Sequence, residues 1–244
     1  MEKPTCFVLI FLMIKARLNE PRRIPTRLTM KNFVITIREN DNSLIAATKC
    51  IESAAKFDLE VDYYDAYIPS DCKEFIKEQK INDIGFNNNK YSREDNARAA
   101  FCSHFSLWQM VAETNEEATI FEHDAIVVDP IPEMSYNGCI SLGKPSYGKW
   151  VTPSTLGTNP LTSKRYFPGA HAYRLNPRGA KQLVERARLE ASPTDIFLNL
   201  DTFPFLEEYY PWPVEVRESF STIQKTEGCL AKHMYSKDYI IEDV

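Results

Sequence analysis

The residues with the clearest chemical potential are Glu122, His123 and Asp124, which directly follow the apolar run ATIF. If the chain is still extended here, residues two apart project to the same side, so Glu122 and Asp124 present their carboxylates together. Such a pair suits a hard divalent cation, Mn²⁺ or Mg²⁺, that keeps open positions for the phosphate oxygens of a nucleotide. A polar turn that ends a strand accounts for the same tripeptide, and both interpretations are open at this point.

Other side chains that can bind ligands or move protons stand further away in the chain. His233 is the candidate to complete the ligand set of the cation, and a solvated position near the C-terminus is its alternative. Ser103 and His104 share a predicted helix with Trp108 and can face the cleft that holds the acidic pair. Asp195, in SPTDIFLNL, is either a helix cap or a general base, which has to come within hydrogen-bond reach of an acceptor hydroxyl.

Hydrophobic periodicity predicts the elements that position these residues. The run FVITI predicts a strand at 33–37, an amphipathic helix follows at 43–57, and LEVDYY predicts a second strand at 59–64. This order opens a parallel, right-handed α/β unit. The remaining predictions are a loop with a short helix at 68–91, a helix starting at Ser92, strands at 118–121, 126–128, 139–143 and 170–175, a surface loop at 144–164, and a helix starting at Asn176-Pro177.

The composition of the 244 residues fits one α/β domain and excludes several classes of protein. A hydrophobic share of 43% argues against disorder, and a mean hydropathy of −0.37 argues against a multi-span membrane protein. The net charge of −5 disfavours broad electrostatic wrapping of nucleic acid. The six cysteines have no metal-type spacing and predict free thiols in a reducing compartment, and the usual motifs of dinucleotide, P-loop and serine-hydrolase enzymes are missing from the sequence.

The first 29 residues differ in character from the rest of the chain. They contain the apolar run CFVLIFLMI, which is shorter than the roughly 20 residues that a membrane-spanning helix needs. The next methionine, Met30, opens MKNFVITIRE, which is typical of a first strand. We therefore expect residues 1–29 to be an appendage, either a short anchor or an upstream translated extension, and residues 30–244 to form one domain with no stable membrane span.

Three blocks, in this order and spacing, resemble glycosyltransferase family 25, the lipopolysaccharide-biosynthesis and collagen-galactosyltransferase type. They are RAAFCSHFSLWQMV at 98–111, ATIFEHDAIVV at 118–128, and GAHAYRLNPRGAKQLVE with SPTDIF at 169–197. The pattern is also similar to compact versions of the family encoded by large tailed phages. One position departs from the family, because His123 stands where the family has the middle acid of Glu-Asp-Asp. If that acid is a ligand, metal affinity changes here; if the outer pair binds, little changes, since His123 then points away.

The resemblance implies a GT-A fold, an α/β architecture with a Rossmann-like mixed sheet flanked by helices. It implies transfer of a hexose from a nucleotide sugar, UDP-linked, to a hydroxyl acceptor such as a glycan or lipopolysaccharide. The residue roles that it implies are a cation on Glu122 and Asp124 with His233, donor contacts from Arg98, Ser103 and His104, the base Asp195, and an acceptor side lined by His171, Tyr173 and Lys164. The glycine-containing segment 143–165 is expected to close over the donor and keep water out.

Two other functions remain open from the sequence. One is transfer to hydroxymethylated bases of phage DNA, which needs a basic groove; Lys144, Lys149, Lys164, Arg165, Arg174 and Arg178 supply candidate charges. The other is a non-catalytic carbohydrate-binding protein on a GT-A scaffold. The predicted location is cytoplasmic, which means the host cytoplasm if a phage encodes the chain.

Overall fold

The structure of the protein is a computed structural model that describes residues 30–87, 93–146, 149–167, 170–216 and 222–223. The predicted appendage 1–29, the predicted helix start Ser92 and the predicted cation ligand His233 lie outside the described residues. The described helices include none that is both long and apolar enough to cross a membrane.

Within the described residues the chain forms nine strands and five α-helices, which follow each other in an alternating order typical of α/β proteins. They are β1 (Lys31–Thr36), α1 (Asp41–Ala55), β2 (Asp62–Asp65), α2 (Pro69–Gln79), α3 (Glu94–Thr114), β3 (Ala118–Glu122), β4 (Ala125–Val127), β5 (Cys139–Ser141), β6 (Gly157–Pro160), β7 (Ala172–Leu175), α4 (Pro177–Leu189), α5 (Thr194–Phe197), β8 (Leu206–Tyr210) and β9 (Val214–Val216), with a short 3₁₀ helix at Ile84–Phe86.

Seven strands form one mixed sheet in the order β2-β1-β3-β7-β5-β8-β6, and β4 pairs with β9 separately. Strands β1, β2 and β3 are parallel, and β8 is parallel to β5. Strand β7 is antiparallel to both β3 and β5, so β5 runs in the same direction as β3. The carboxyl ends of β1, β2, β3, β5 and β8 therefore lie at the same edge of the sheet. In open α/β sheets ligands bind outside the carboxyl ends of the strands, which makes this edge the place to look for a site.

Helices cover both faces of the sheet, which confirms the predicted α/β class with a helix-flanked mixed sheet. On one face Ala47 and Cys50 of α1 pack with Val34 and Phe121 of the sheet. On the other face α2, α3 and α4 bury a larger core, in which Trp108 is fully enclosed. Alternating residues of β1 and β3 thus enter opposite cores, as the period of two in a strand requires.

Local sequence explains why the helices start where they do. The Asn40 side chain accepts a hydrogen bond from the Ser43 backbone nitrogen at the start of α1. Asn176 caps α4 in the same way by accepting from Gly179, and Pro177 fits the first turn because its missing N–H has no helical partner there. The predicted helix start at Asn176-Pro177 is therefore confirmed.

Several predicted elements differ from the structure. The polar segment 68–91 contains the full helix α2, in which Cys72 and Phe75 supply a narrow buried face. The predicted surface loop 144–164 contains β6, which is an edge strand. Only Asn159 of this strand is buried, so its sequence lacks the hydrophobic alternation that predicts a strand. The C-terminal aromatic and proline-rich passage forms β8 and β9.

Candidate active site

A cavity of about 260 Å³ lies at the carboxyl ends of β1, β2 and β3. The segments that follow these strands line it, and α3 supplies one wall. Glu122, His123 and Asp124 all belong to the lining, so the structure brings the predicted acidic pair to one concave surface. The lining residues are Ile35, Ile37, Asn40, Ala66, Tyr67, Ile68, Pro69, Asn96, Ala99, Ala100, Ser103, His104, Glu122, His123, Asp124, Thr222 and Ile223.

A series of hydrogen bonds connects Glu122 to the core. Its Oε1 lies 3.1 Å from Nε2 of His104, and Nδ1 of His104 lies 2.8 Å from the hydroxyl of Tyr173. The indole Nε1 of Trp108 donates to the same hydroxyl at 2.7 Å. His104 is only 1% exposed, and Tyr173 and Trp108 are fully buried. The series therefore connects the buried centre of α3 and β7 to a carboxyl group on the cavity wall.

One donor in this series follows from the chemistry of the groups. An indole N–H can only donate, so the Tyr173 oxygen accepts from Trp108. The tautomer of His104 sets the other directions: with its hydrogen on Nε2, the ring donates to an ionised Glu122 and accepts from the Tyr173 hydroxyl. Burial lowers the pKa of His104 to about 3, although the charge of Asp195 acts in the opposite direction, and the ring is accordingly neutral.

Glu122 sits in an environment that opposes its negative charge. Burial raises the pKa of its carboxyl group to about 8, and the nearby negative charge of Asp195 adds to the increase. The effect of Asp195 on both Glu122 and His104 places this aspartate close to the same group of side chains. Asp195 is half-buried in the short helix α5 and is not among the residues that line the cavity, so its role as the base stays a prediction.

The chain turns after Glu122, and the extended conformation expected through Asp124 is wrong. Strand β3 ends at Glu122 and the new strand β4 begins at Ala125, because the backbone leaves the main sheet to pair with β9. The Nδ1 atom of His123 lies 3.1 Å from the Oγ atom of Ser43 at the start of α1. His123 thus faces α1 whereas Glu122 faces α3. The expectation that His123 points away from both carboxylates holds for Glu122 and stays a prediction for Asp124. The charge of Asp124 acts on Cys50 of α1 and, with burial as the larger cause, raises the pKa of that thiol.

Two carboxylates of the cavity wall are the candidate ligands of a divalent cation, whose binding stays a prediction. Among the residues that the structure describes, no group of three or more His, Cys, Asp and Glu side chains is close enough to hold a metal ion by itself. Glu122 and Asp124 nevertheless both line the cavity, and carboxylate oxygens are the ligands that Mn²⁺ and Mg²⁺ prefer. A cation held by two protein carboxylates completes its ligand set with water and substrate phosphates, as Mg²⁺ commonly does.

Ser103 lines the cavity, but its hydroxyl is engaged in the fold. It donates to the Ala99 carbonyl oxygen and accepts from the Tyr67 backbone nitrogen, each at 2.9 Å. It therefore attaches the segment after β2 to the wall formed by α3. The structure gives Ser103 this positioning role, and its predicted contact with the donor stays a prediction.

Arg98 was expected to pair with a donor phosphate, and the structure places it elsewhere. It is not one of the residues that line the cavity. Its guanidinium forms ion pairs with Asp83, Glu94 and Asp95 and stacks over the ring of Phe86. These contacts attach the 3₁₀ helix to the start of α3. None of them indicates that Arg98 binds a phosphate, so its contact with the donor stays a prediction.

The predicted acceptor-side residues occupy three different environments. Tyr173 is fully buried and belongs to the series of hydrogen bonds that leads to Glu122. The expectation that it lines a substrate surface is therefore wrong. His171 is also buried, and burial lowers its pKa to about 4, against an opposing backbone hydrogen bond at Val214. Its ring packs on Gly143, where a Cβ would lie 2.8 Å from Cδ2 of His171. Lys164 is half-buried with its ammonium 5.4 Å from the centre of the Tyr166 ring, and its binding role stays a prediction.

Part of the segment 143–165, which was expected to close over the donor, is fixed by strand pairing and hydrogen bonds. Residues 157–160 are strand β6, and Oε1 of Glu208 accepts hydrogen bonds from the backbone nitrogens of Thr162 and Ser163. The exposed stretch before β6 includes Val151 and Leu156. Closure of the segment over the donor stays a prediction.

The sequence analysis missed several residues of the cavity wall. Asn40, Tyr67 and Asn96 line it together with Thr222. Asn40 was detectable, because an asparagine three residues before a serine at a helix start is a typical cap. Tyr67 and Asn96 lie in the cavity through tertiary packing, for which the local sequence carries no signal.

Comparison with known proteins finds a similarity over part of the chain. Residues 30–139 match the model of glycosyltransferase family 25, described as an LPS biosynthesis protein. The match contains β1 to β4, α3 and the Glu122-His123-Asp124 segment, and so includes every strand that opens onto the cavity. No curated protein matches the sequence.

Proposed function

We propose that this chain is an enzyme that moves a hexose from a UDP-linked sugar to a hydroxyl of a glycan or lipopolysaccharide, with a divalent cation at Glu122 and Asp124. The match of residues 30–139 to the family 25 glycosyltransferase model supports the proposal. One observation carries the proposal. The two carboxylates line a cavity at the carboxyl ends of three parallel strands, where nucleotides bind in open α/β sheets.

The cavity has the composition that a nucleotide requires. Ile35, Ile37 and Ile68 give it an apolar side, while the amides of Asn40 and Asn96 offer donors and acceptors. Ligand pockets are commonly lined in this way, with a few polar groups that fix the orientation. We infer that the nucleoside occupies this part and that its diphosphate faces Glu122 and Asp124.

Glu122 and Asp124 are the described residues that would hold the cation. A bound Mn²⁺ or Mg²⁺ supplies charge neutralisation for the departing diphosphate. Glu122 and Asp124 both line the cavity, and the charge of Asp195 acts on Glu122 from outside the lining. Like charges in such an environment repel each other, and a divalent cation would relieve that repulsion.

Asp195 is the proposed general base. It lies near Glu122 and His104, as its effect on their pKa values indicates, and it is carried by a helix that packs on α3 through Phe197 and Trp108. In this role its carboxylate takes the proton from the acceptor hydroxyl as that oxygen attacks the anomeric carbon.

The positions of the basic residues favour a glycan over DNA as the acceptor. Arg174 is 3% exposed, so its guanidinium has no access to a DNA phosphate. Lys144 pairs with Glu215, and Arg165 pairs with Asp201. Of the six candidate charges for a basic groove, Arg174 is therefore buried, and Lys144 and Arg165 are paired with carboxylates.

A pair of aspartate variants tests the proposal. Asp124→Asn removes a negative ligand from the cavity wall and is expected to abolish Mn²⁺-dependent turnover of UDP-hexose while the thermal unfolding midpoint stays near that of the wild type. The matched control is Asp129→Asn, an exposed aspartate five residues further along, which should keep full activity. Equal activity of the two variants in a UDP-release assay would contradict the assignment of the cation site.

A further inference from the structure

We propose that Trp108, Tyr173 and His104 form a positioning relay that fixes the orientation of the Glu122 carboxylate at the cavity. The inference rests on the proposed function, since it assigns to Glu122 the task of meeting the donor's cation. Trp108 and Tyr173 are fully buried and do not line the cavity, whereas His104 is 1% exposed and forms part of its wall; none of the three is a proposed cation ligand.

In the proposed relay the hydrogen bonds run in one direction. A carboxylate that holds a cation is ionised and can only accept, so Nε2 of the neutral His104 ring donates to Oε1 of Glu122 at 3.1 Å. Nδ1 then accepts from the Tyr173 hydroxyl at 2.8 Å, and that hydroxyl accepts from Trp108 at 2.7 Å, so the imidazole hydrogen lies on Nε2 alone. A buried, fully satisfied network of this kind specifies a single arrangement of its side chains.

Aromatic packing holds the relay in place. The rings of His104 and Tyr173 stack with their centres 5.7 Å apart and an interplanar angle of 25°. Trp108 stacks on Phe197 at 5.4 Å and 15°, and Phe101 meets the edges of both. Phe197 stands two residues after Asp195, so the same indole that starts the relay also supports the helix that carries the proposed base.

The relay gives one oxygen of the Glu122 carboxylate a fixed hydrogen-bond partner. Oε1 of Glu122 is engaged by His104, which leaves Oε2 available for a ligand in the cavity. Hydrogen-bond partners behind a metal ligand commonly change metal affinity or activity by about 10–100-fold when they are removed. We therefore assign the relay an effect of about that size on cation binding, although none of its members is a ligand.

Three variants and one control test the relay. Tyr173→Phe keeps the ring but removes the hydroxyl, and His104→Ala removes the donor to Glu122. His104→Gln is the conservative variant, because the glutamine amide nitrogen can replace the Nε2 donor. The control is Tyr136→Phe, which removes a tyrosine hydroxyl that binds the Glu117 carboxylate at 3.0 Å and is not part of the cavity lining.

The main readout is the Kd of Mn²⁺ in the presence of UDP, measured from the electron paramagnetic resonance signal of unbound Mn²⁺. Tyr173→Phe and His104→Ala are expected to weaken Mn²⁺ binding by about 10–100-fold, whereas His104→Gln retains most of the affinity. Tyr136→Phe should lower the free energy of unfolding without changing Mn²⁺ affinity. Unchanged affinity in Tyr173→Phe, or equal losses in His104→Ala and His104→Gln, would overturn the relay.

A second readout separates failure of the relay from failure of the proposed function. Nitrogen-15 NMR of the histidines should show His104 with its hydrogen on Nε2 alone in the wild type, and a mixture of tautomers in Tyr173→Phe. If the wild type binds no Mn²⁺ but shows this single tautomer and its loss, the cation assignment fails and the relay stands. A mixed tautomer in the wild type overturns the relay whatever the metal result.

Discussion

Burial shifts the pKa values of individual ionisable residues in this protein. His104 and His171 are both buried, with pKa values lowered to about 3 and about 4, and Glu122 has a pKa raised to about 8. Groups with strongly shifted pKa values in a cavity are frequent in catalytic sites. Here two of the three, Glu122 and His104, lie on the wall of the cavity that we propose for the donor.

Asp195 gives the most direct residue-scale prediction about catalysis. Asp195→Asn keeps the shape of the side chain but removes its ability to accept a proton, so donor binding should be spared while transfer falls by about 10²-fold or more. The measurement compares the Kd of the UDP-sugar with the rate of transfer to an acceptor. A variant that transfers at the normal rate would show that Asp195 is not the base.

His171 gives a prediction about stability and pH. Its folded pKa of about 4 lies below the unfolded value of about 6.5, so the folded state binds fewer protons. This histidine therefore contributes stability above pH 6.5 that is lost as the pH falls towards 4, and about 2 kcal/mol of it disappears between pH 7 and pH 5. Urea unfolding at both pH values should show a smaller loss for His171→Gln than for the wild type. Identical pH dependence in the two proteins would contradict the depressed pKa.

At the scale of elements, predictions succeeded where periodicity and caps act locally. The apolar run 33–37 and the cap Asn176-Pro177 led to β1 and α4 within a few residues. Strand β6 has one buried residue and ends in Pro160, so its existence depends on pairing with β8 at the sheet edge. The wrong conformation expected for Asp124 has a similar cause, since the turn after Glu122 exists because β4 pairs with the distant strand β9.

Close packing between α4 and the segment before β5 provides an element-scale prediction. A Cβ on Gly179 would lie 2.6 Å from the carbonyl carbon of Gly138, so Gly179→Ala forces the backbones apart. We expect the free energy of unfolding to fall by about 1–3 kcal/mol, measured by urea denaturation. Arg178→Ala, at the exposed neighbouring position of the same helix, should change it by less than about 0.5 kcal/mol. Equal effects of the two variants would contradict the close-packing argument.

At the scale of the whole molecule, the fold brings distant parts of the sequence to one edge of one sheet. Glu122 and Asp195 are 73 positions apart in the numbering, yet the charge of one shifts the pKa of the other. The family match ends at residue 139, whereas the proposed base and Tyr173 come later in the chain. The proposed site therefore depends on the completed fold and not on the matched segment alone.

The central claim is that the cavity binds a nucleotide sugar with the help of a divalent cation at Glu122 and Asp124. A thermal-shift panel of UDP-sugars, each with and without Mn²⁺, tests it most directly. At a concentration 100 times Kd, the right pair should raise the unfolding midpoint by roughly 5–11 °C, and Asp124→Asn should lose the Mn²⁺-dependent part. An unfolding midpoint that no UDP-sugar raises, with or without Mn²⁺, would contradict the account.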